Sequence, residues 1–526
     1  MDEYKQVGLR ALDKINGKNY LHFDFPLTDK ERRQLVADFS NGDIVHHRYL
    51  PFISFEIRFR IYHPKEKSAT PKSRKITLPS HHDALTYRYY GAALNRVYSN
   101  YANSHYINEV AVAYRERRSG LQLSNITTAK EVFDYVTLFP NSWIIKGDFH
   151  HFFDTLNHQY LVDNMRKVFG GVLPRGWGRM LRSITEYQSI SRKTLERQLK
   201  DSHVKNAYRL NVPDGAKTRA YVSNLQQFGQ LIKQKKVRLS GKNRVGIPQG
   251  TAVSAVLANV YMIDFDEWLS KYCETLGGLY RRYSDDFIIV LPKKHLSKGF
   301  VEILESEIIQ RSQSTLDLDI EPTKTKLYSY NQDSHAVMLH DVQNAEKQKP
   351  GKIDYLGFIF DGVSVSMRPK SIYKFIYRGR RKIGKYITLG RSYDQVRLGL
   401  SDSEIILNKG VPKYIKHSGD TQRIYAAPNL HEVEKSLGRL QQIRKMRYET
   451  LSAVHKGVTT RYLSTEVKKP RSSMLGYALR AQKIFETGQP KYRVVIRRQV
   501  MRQIKRNQLR LHRGRESYKY WRYFNL

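Results

Sequence analysis

A single cysteine in 526 residues, Cys273, excludes an intrachain disulfide and any zinc site built on paired cysteines. No stretch approaches the roughly 18 apolar residues needed to span a bilayer, and the opening MDEYKQVGLR has no apolar run behind a positive start, so no secretory signal is expected. Low-complexity segments and 20–50-residue repeats are missing too, which removes solenoids and arrays. Acid is scarce: 49 Asp and Glu face 91 Lys and Arg, a formal charge of +42. These absences predict a soluble, cytoplasmic chain in a reducing compartment, with no membrane partner.

What is present fits a folded protein, with 40% hydrophobic and 12% aromatic residues. A charge of +42 opposes compaction unless a polyanion neutralises it, which makes nucleic acid the leading partner. The excess is uneven. From Asp361 onward there are 38 Lys and Arg against 11 Asp and Glu, and the last 36 residues hold 12 bases and one acid. That third of the chain is the expected track for a phosphate backbone.

Patterning places the elements coarsely. PFISFEIRFRIYHP (51–64) predicts a strand, 81–103 a helix, and WIIKGD (143–148) a short strand ending on a carboxylate. TAVSAVLANVYMIDFDEWLSKY (251–272) predicts one amphipathic helix, and LYRRYSDDFIIVLP (279–292) a hairpin. VEILESEIIQRSQ predicts a further helix, IDYLGFIFDG a strand pair with a glycine turn, and the text after about 370 a helical, basic region. Residues 161–245 are longer than a simple connection requires and read as an insertion.

The chemistry concentrates at the hairpin. Asp285 and Asp286 stand together between apolar strands, where adjacent acids repel unless cations sit beside them. Asp148, ending its own strand, supplies a third carboxylate. Hard oxygen ligands of this kind suit Mg²⁺, with Mn²⁺ as a substitute, and a metal pair about 3.5–4 Å apart would activate a 3′-hydroxyl and brace a leaving pyrophosphate.

Five segments in order then resemble the reverse transcriptase family: GDFHHFFDTLNH (147–158), GIPQGTAVSAVLANVYM (246–262), YSDD (283–286), EPTKTKLYSY (321–330) and YLGF (355–358). Upstream, SRKITLPSHHDA (73–84) and AYRERRSG (113–120) resemble its fingers segments. The resemblance implies an α/β (α+β) right-hand polymerase: a lead-in over 1–50, fingers over 51–140, and a ferredoxin-like antiparallel palm over 141–365 carrying the 161–245 fingers-side insertion. A helical thumb and basic C-terminal extension would occupy 366–526. It implies metal binding and catalysis at Asp148, Asp285 and Asp286, with the last in support, and an aromatic sugar gate at Phe153. Gln249 and Gly250 would lie by the nascent base pair. Arg115, with Arg74 or Lys75 as alternatives, and Lys324 would hold the triphosphate. Leu356 and Gly357 would seat the primer. Ser284 stands where the family more usually has Ala or Met.

Within the family, no RNase H acid pattern follows residue 370, and one cysteine cannot build the zinc endonuclease of group II intron proteins. The layout most resembles the bacterial abortive-infection and defence-associated, retron-like class. That implies an RNA-directed DNA polymerase working on dNTPs with a structured non-coding RNA as template and DNA as product, in antiphage defence. Two alternatives stay open: a template-independent or self-primed polymerase, and a catalytically idle RNA-binding scaffold. The terminus ESYKYWRYFNL offers Tyr518, Tyr520 and Tyr523 for base stacking, for priming or for plain packing. Oligomeric state is open, a homo-oligomer included.

Overall fold

The computed structural model describes residues 3–13, 19–42, 47–63, 68–115, 124–209, 218–294, 296–321, 325–340, 348–397, 399, 401, 411–417, 420–426, 438, 441–445, 448–467 and 473–516. The chain divides into two compact units, Met1–Ser124 with Tyr135–Gly351, and Asn125–Asp134 with Lys352–Leu526.

The first unit opens with helices α1 (Glu3–Asp13) and α2 (Asp29–Asn41), the latter started by a reciprocal capping box between Thr28 and Glu31. Strands β1 (Phe52–His63) and β2 (Ser68–Leu78) form a long antiparallel ribbon, as the alternation in 51–64 predicts. Helix α3 (His81–Ser104) begins where the Ser80 hydroxyl accepts the Asp83 amide, and it buries Tyr87, Tyr89, Tyr90 and Tyr98. Helix α4 (Asn125–Leu138), whose residues up to Asp134 belong to the second unit, leads into strand β3 (Asn141–Asp148).

After the short helix α5 (Phe152–Thr155), the region expected as an insertion, 161–245, runs from within α6 (His158–Val168) through helices α7 (Trp177–Thr185), α8 (Arg192–Asp201) and α9 (Leu225–Lys233) and strands β4 (Ser189–Ser191), β5 (Ala207–Arg209) and β6 (Thr218–Ala220). It is stitched to the ribbon, because β4 pairs in parallel with Phe52–Ser54 of β1. The helix predicted over 251–272 is two helices, α10 (Ser254–Tyr261) and α11 (Ile263–Thr275). The break falls where the Met262 amide bonds to Asn259 three residues back, tightening the turn.

A six-stranded antiparallel sheet organises this unit. Its order is β11-β10-β9-β3-β8-β7, with β7 (Leu279–Tyr283), β8 (Asp286–Pro292), β9 (Lys326–Asn331), β10 (Ala336–His340) and β11 (Gln348–Pro350). Helix α12 (Lys298–Leu316) joins β8 to the β9 region. The middle strands β3 and β8 are near-continuous apolar runs, Trp143 to Ile145 and Phe287 to Leu291, because both their faces are covered. Sheet and helices share one core that includes Tyr87, Trp143, Phe149, Leu257, Phe287 and Ile308.

The second unit is built on a small sheet, β12 (Ile353–Tyr355), β13 (Phe358–Phe360) and β14 (Ser364–Met367), with a later strand, Arg493–Val494, added in parallel. Around it lie helices α13 (Pro369–Arg397), α14 (Tyr448–Val458), α15 (Met474–Glu486) and α16 (Ile496–Glu516). The region after 370 is not wholly helical, since Val411–His417 and Asp420–Ala426 pair as a hairpin. Helix α16 buries the ridge Ile496, Val500, Ile504 and Leu511 and leaves Arg498, Arg502, Lys505, Arg506, Arg510 and Arg513 exposed.

Candidate active site

Strand register brings the predicted carboxylates together. β3 and β8 are adjacent and antiparallel, and Asp148 stands directly opposite Asp286. Asp285 precedes it in the two-residue turn, Ser284–Asp285, between β7 and β8. Ser284 takes φ +61° there, a left-handed conformation that only the first central residue of this turn adopts. The turn is anchored to β3 by the Phe149 amide, which donates to the Asp285 carbonyl at 3.1 Å.

The electrostatics single out Asp285. Burial, and then the charge of Asp148, raise its pKa above the ordinary aspartate value, while the Ser284 hydroxyl and Arg74 pull the other way. Asp286 is 38% exposed, with Lys146 at 3.9 Å, in keeping with a supporting position. Among the described residues no three His, Cys, Asp or Glu side chains converge as a ready-made metal cage. The donor chemistry nevertheless fits a hard divalent ion. Two carboxylates that repel each other, Asp148 and Asp285, would be relieved by such a cation.

The surrounding segments are tied to this pair by main-chain bonds. Glu321, at the start of EPTK, donates its amide to the Asp148 carbonyl at 2.9 Å, and His150 donates its own to Asp319 at 2.7 Å. Lys324 lies outside the described residues, as do Tyr518, Tyr520 and Tyr523. His150 pairs with Glu321 at 3.4 Å and His151 with Asp154 at 3.8 Å, beside the aspartates. Of the aromatic pair, Phe152 is core at 3% exposure, whereas Phe153 is half-buried and edge-on to it at 5.4 Å. The Phe153 carbonyl accepts the Ile247 amide at 2.8 Å, which docks the Gly-Ile-Pro-Gln-Gly loop on the Phe152–Phe153 segment.

That loop also holds the ribbon. The Gln249 carbonyl accepts both the amide and the hydroxyl of Thr77, each at 2.9 Å, and the Gln249 amide group is 3.5 Å from Asp154. Gly250 sits at φ +129° with the Thr77 carbonyl 2.4 Å from where a Cβ would stand, so no other residue fits without displacing β2.

Arg115 does not occupy the triphosphate position expected of it. It is 5% exposed, donates to the Asn108 carbonyl and side chain at 2.8 and 2.6 Å, and lies over the Tyr98 ring. A desolvated guanidinium with these acceptors is a structural anchor, and what it presents is its neighbour. Tyr114 is 53% exposed at φ +61°, its ring 6.3 Å from that of Tyr283. Burial, then Tyr283 and Asp285, raise the Tyr114 pKa. Sequence reasoning passed over this tyrosine; its only signal was adjacency to Arg115. On the β1–β2 ribbon, Arg74 is an exposed cation whose charge reaches Asp285.

In the second unit, Leu356 and Gly357 form the turn between β12 and β13, with φ +47° and +94°. The Leu356 carbonyl accepts the Asn125 side-chain amide at 3.0 Å, and Asn125 also donates to the Tyr477 hydroxyl at 2.8 Å. Gly357 borders a cleft of about 510 Å³ whose lining includes Lys374, Phe375, Arg378, Arg461 and Tyr462 and, among the described residues, no acidic one.

A profile of the family described as "Reverse transcriptase (RNA-dependent DNA polymerase)" matches residues 64–360, more than half of the chain. The chain belongs to the reverse transcriptase family. Its mixed helix-and-sheet architecture is accordingly that of a right-hand polymerase. No curated protein matches this reverse transcriptase by sequence. Similar solved structures include apo telomerase from Candida tropicalis truncated from its C-terminal domain, at 11% identity and TM-score 0.35, covering 65% of this chain and 61% of that one. Telomerase from Candida albicans with a fragment of telomeric RNA is 12% identical at TM-score 0.35, covering 96% of this chain and 72% of that one. These likenesses are distant, and the family assignment rests on the sequence match.

Proposed function

We propose that the chain is an RNA-directed DNA polymerase that extends a 3′-hydroxyl with dNTPs by metal-assisted nucleotidyl transfer. The pairing of Asp148 with the Asp285–Asp286 turn across β3 and β8 carries this reading. In the reaction the 3′-oxygen attacks the α-phosphorus of the dNTP. A phosphodiester bond forms, the bond to pyrophosphate breaks, and the hydroxyl proton leaves to solvent. Asp148 and Asp285 would hold two Mg²⁺ ions, which supply Lewis-acid activation of the hydroxyl and charge neutralisation at the leaving pyrophosphate. Asp286 supports them, Phe153 excludes a ribose 2′-hydroxyl, and Arg74 meets the triphosphate charge from the ribbon. The turn at Leu356 and Gly357 and the basic cleft beside it would seat a nucleic-acid strand, and the exposed cations of α16 would extend that track.

The finer reading is a cytoplasmic defence enzyme that copies a dedicated structured RNA. It is supported by the defence-class layout of the sequence and by the +27 carried from Asp361 onward. No described helix is long and apolar enough to cross a membrane. The test is to purify wild type and the Asp285→Ala Asp286→Ala variant with whatever nucleic acid they retain. Each is then given Mg²⁺ and labelled dNTPs, and all RNA and DNA are sequenced. DNA made only by the wild type and complementary to one retained RNA is the expected result. DNA with no complement would mean template-independent synthesis, and no DNA from either protein would leave an RNA-binding scaffold.

A further inference from the structure

Behind the turn that carries Asp285 lies a fully buried ion pair. Arg282 and Asp266 are both 0% exposed, joined by Nε to Oδ1 at 2.9 Å and Nη2 to Oδ2 at 2.6 Å. The Tyr280 hydroxyl also donates to Asp266 at 2.9 Å. Burying two charges costs about as much as their attraction returns, and apolar residues of similar volume commonly stabilise a core equally well. Stability alone therefore gives no reason for an arginine here.

The remaining nitrogen supplies one. Arg282 Nη1 donates to the Ser284 carbonyl at 3.0 Å and to Asn259 Oδ1 at 3.3 Å. Asn259 in turn donates to the Ala113 carbonyl at 3.0 Å. The Arg282 main chain bonds to the residues just before Ala113, its amide donating to the Val110 carbonyl at 2.9 Å and its carbonyl accepting the Val112 amide at 3.0 Å. One guanidinium and its own backbone thus touch the Asp285 turn, the helix after the Gln249 loop, and the segment ending in Tyr114. Ser284 sits in a left-handed conformation that a serine does not adopt without support.

We propose that Arg282 is a positioning residue: it holds the strained Ser284 peptide, and through it the Asp285 carboxylate, in register with the segment that presents Tyr114. A planar fork braced on Asp266 is suited to this, since it cannot swing without breaking the pair. Displacement of a reacting group by about 1 Å costs on the order of 100-fold in rate, so a modest relaxation of this turn is sufficient. The kinetic consequence rests on the polymerase reading; the structural claim does not.

The test uses Arg282→Met combined with Asp266→Leu, which keeps the core apolar and filled but removes the donor to Ser284. Arg282→Lys is the second variant, because a lysine that stays on Asp266 has no fork to span Ser284 and Asn259. Three quantities are read: the melting temperature, amide hydrogen exchange of peptides within 279–292, and kcat and KM for dNTP. In a folded variant, exchange around the turn should rise at least ~10-fold, and kcat should fall ~10–100-fold with KM for dNTP changed less than ~3-fold. A folded variant with wild-type exchange and wild-type kcat would overturn the proposal. If the double variant does not fold, Arg282→Lys decides. If the wild type incorporates no dNTP, the polymerase reading fails while hydrogen exchange still judges the role of Arg282.

Discussion

The amide of Phe149 donates to the carbonyl of Asp285 at 3.1 Å, so the residues that flank the two key carboxylates are joined by main chain. Charge removal at either aspartate should therefore leave the fold standing. Asp148→Asn and Asp285→Asn are each expected to lower dNTP incorporation by ~1,000-fold or more through loss of the metal-binding pair. Their melting temperatures should match or slightly exceed that of the wild type, because a like-charge repulsion is relieved. Circular dichroism melts beside a primer-extension assay check both halves.

Phe153 is the half-buried ring of its pair, and Phe152 the buried one. Phe153→Val should reduce discrimination against rNTPs by on the order of 10-fold or more, with dNTP use changed little. Phe152→Val should instead cost stability, roughly 1–3 kcal/mol. Competition between labelled dNTP and rNTP separates the two positions.

Cys273 is buried, and desolvation pushes its thiol up to about 12. Native protein at pH 8 should show no thiol reactive towards a disulfide reagent such as dithiobisnitrobenzoate, and one after denaturation. Reaction of the native protein within seconds would contradict the packing around α11.

His22 is wholly buried, with Nε2 at 3.2 Å from the Leu78 carbonyl, and burial lowers its pKa from 6.5 to about 4, against the opposing pull of Asp24. Between those values the unfolded chain binds the proton and the folded one does not. The contribution of neutral His22 is therefore complete above pH 6.5 and is lost as pH falls towards 4, roughly 3 kcal/mol in all. His22→Asn, which keeps a donor for Leu78, should flatten the acid limb of a plot of melting temperature against pH. An unchanged acid limb would assign it to other groups.

The Asp285–Asp286 hairpin, its partner strand and the loop at Gln249 were legible because each is short, apolar and punctuated by a residue type with few structural uses. Arg115 was misjudged for a physical reason. AYRERR offers three arginines, and the acceptors that draw the first one inward are main-chain carbonyls and an asparagine at Asn108, which leave no mark beside it in the sequence. Arg282 was hidden in a similar way. Strand alternation puts it on the opposite face from Arg281, but its partner Asp266 sits in the acidic run DFDE, where nothing marks one acid as buried. The break at Met262 was missed because both halves keep the same apolar spacing.

Among the described residues of the β1–β2 ribbon, only Phe52, Ile53 and Ser54 are braced by a third strand. The nine residues from Phe55 to His63 project as a two-stranded arm of about 30 Å, at roughly 3.3 Å per residue. Mechanically this is a cantilever clamped where Thr77 meets Gln249. Arg74, three residues from the clamp, would travel only a fraction of the distance swept by the far end when the arm bends. Arg74, whose charge reaches Asp285, is thereby insulated from bending further out along the arm.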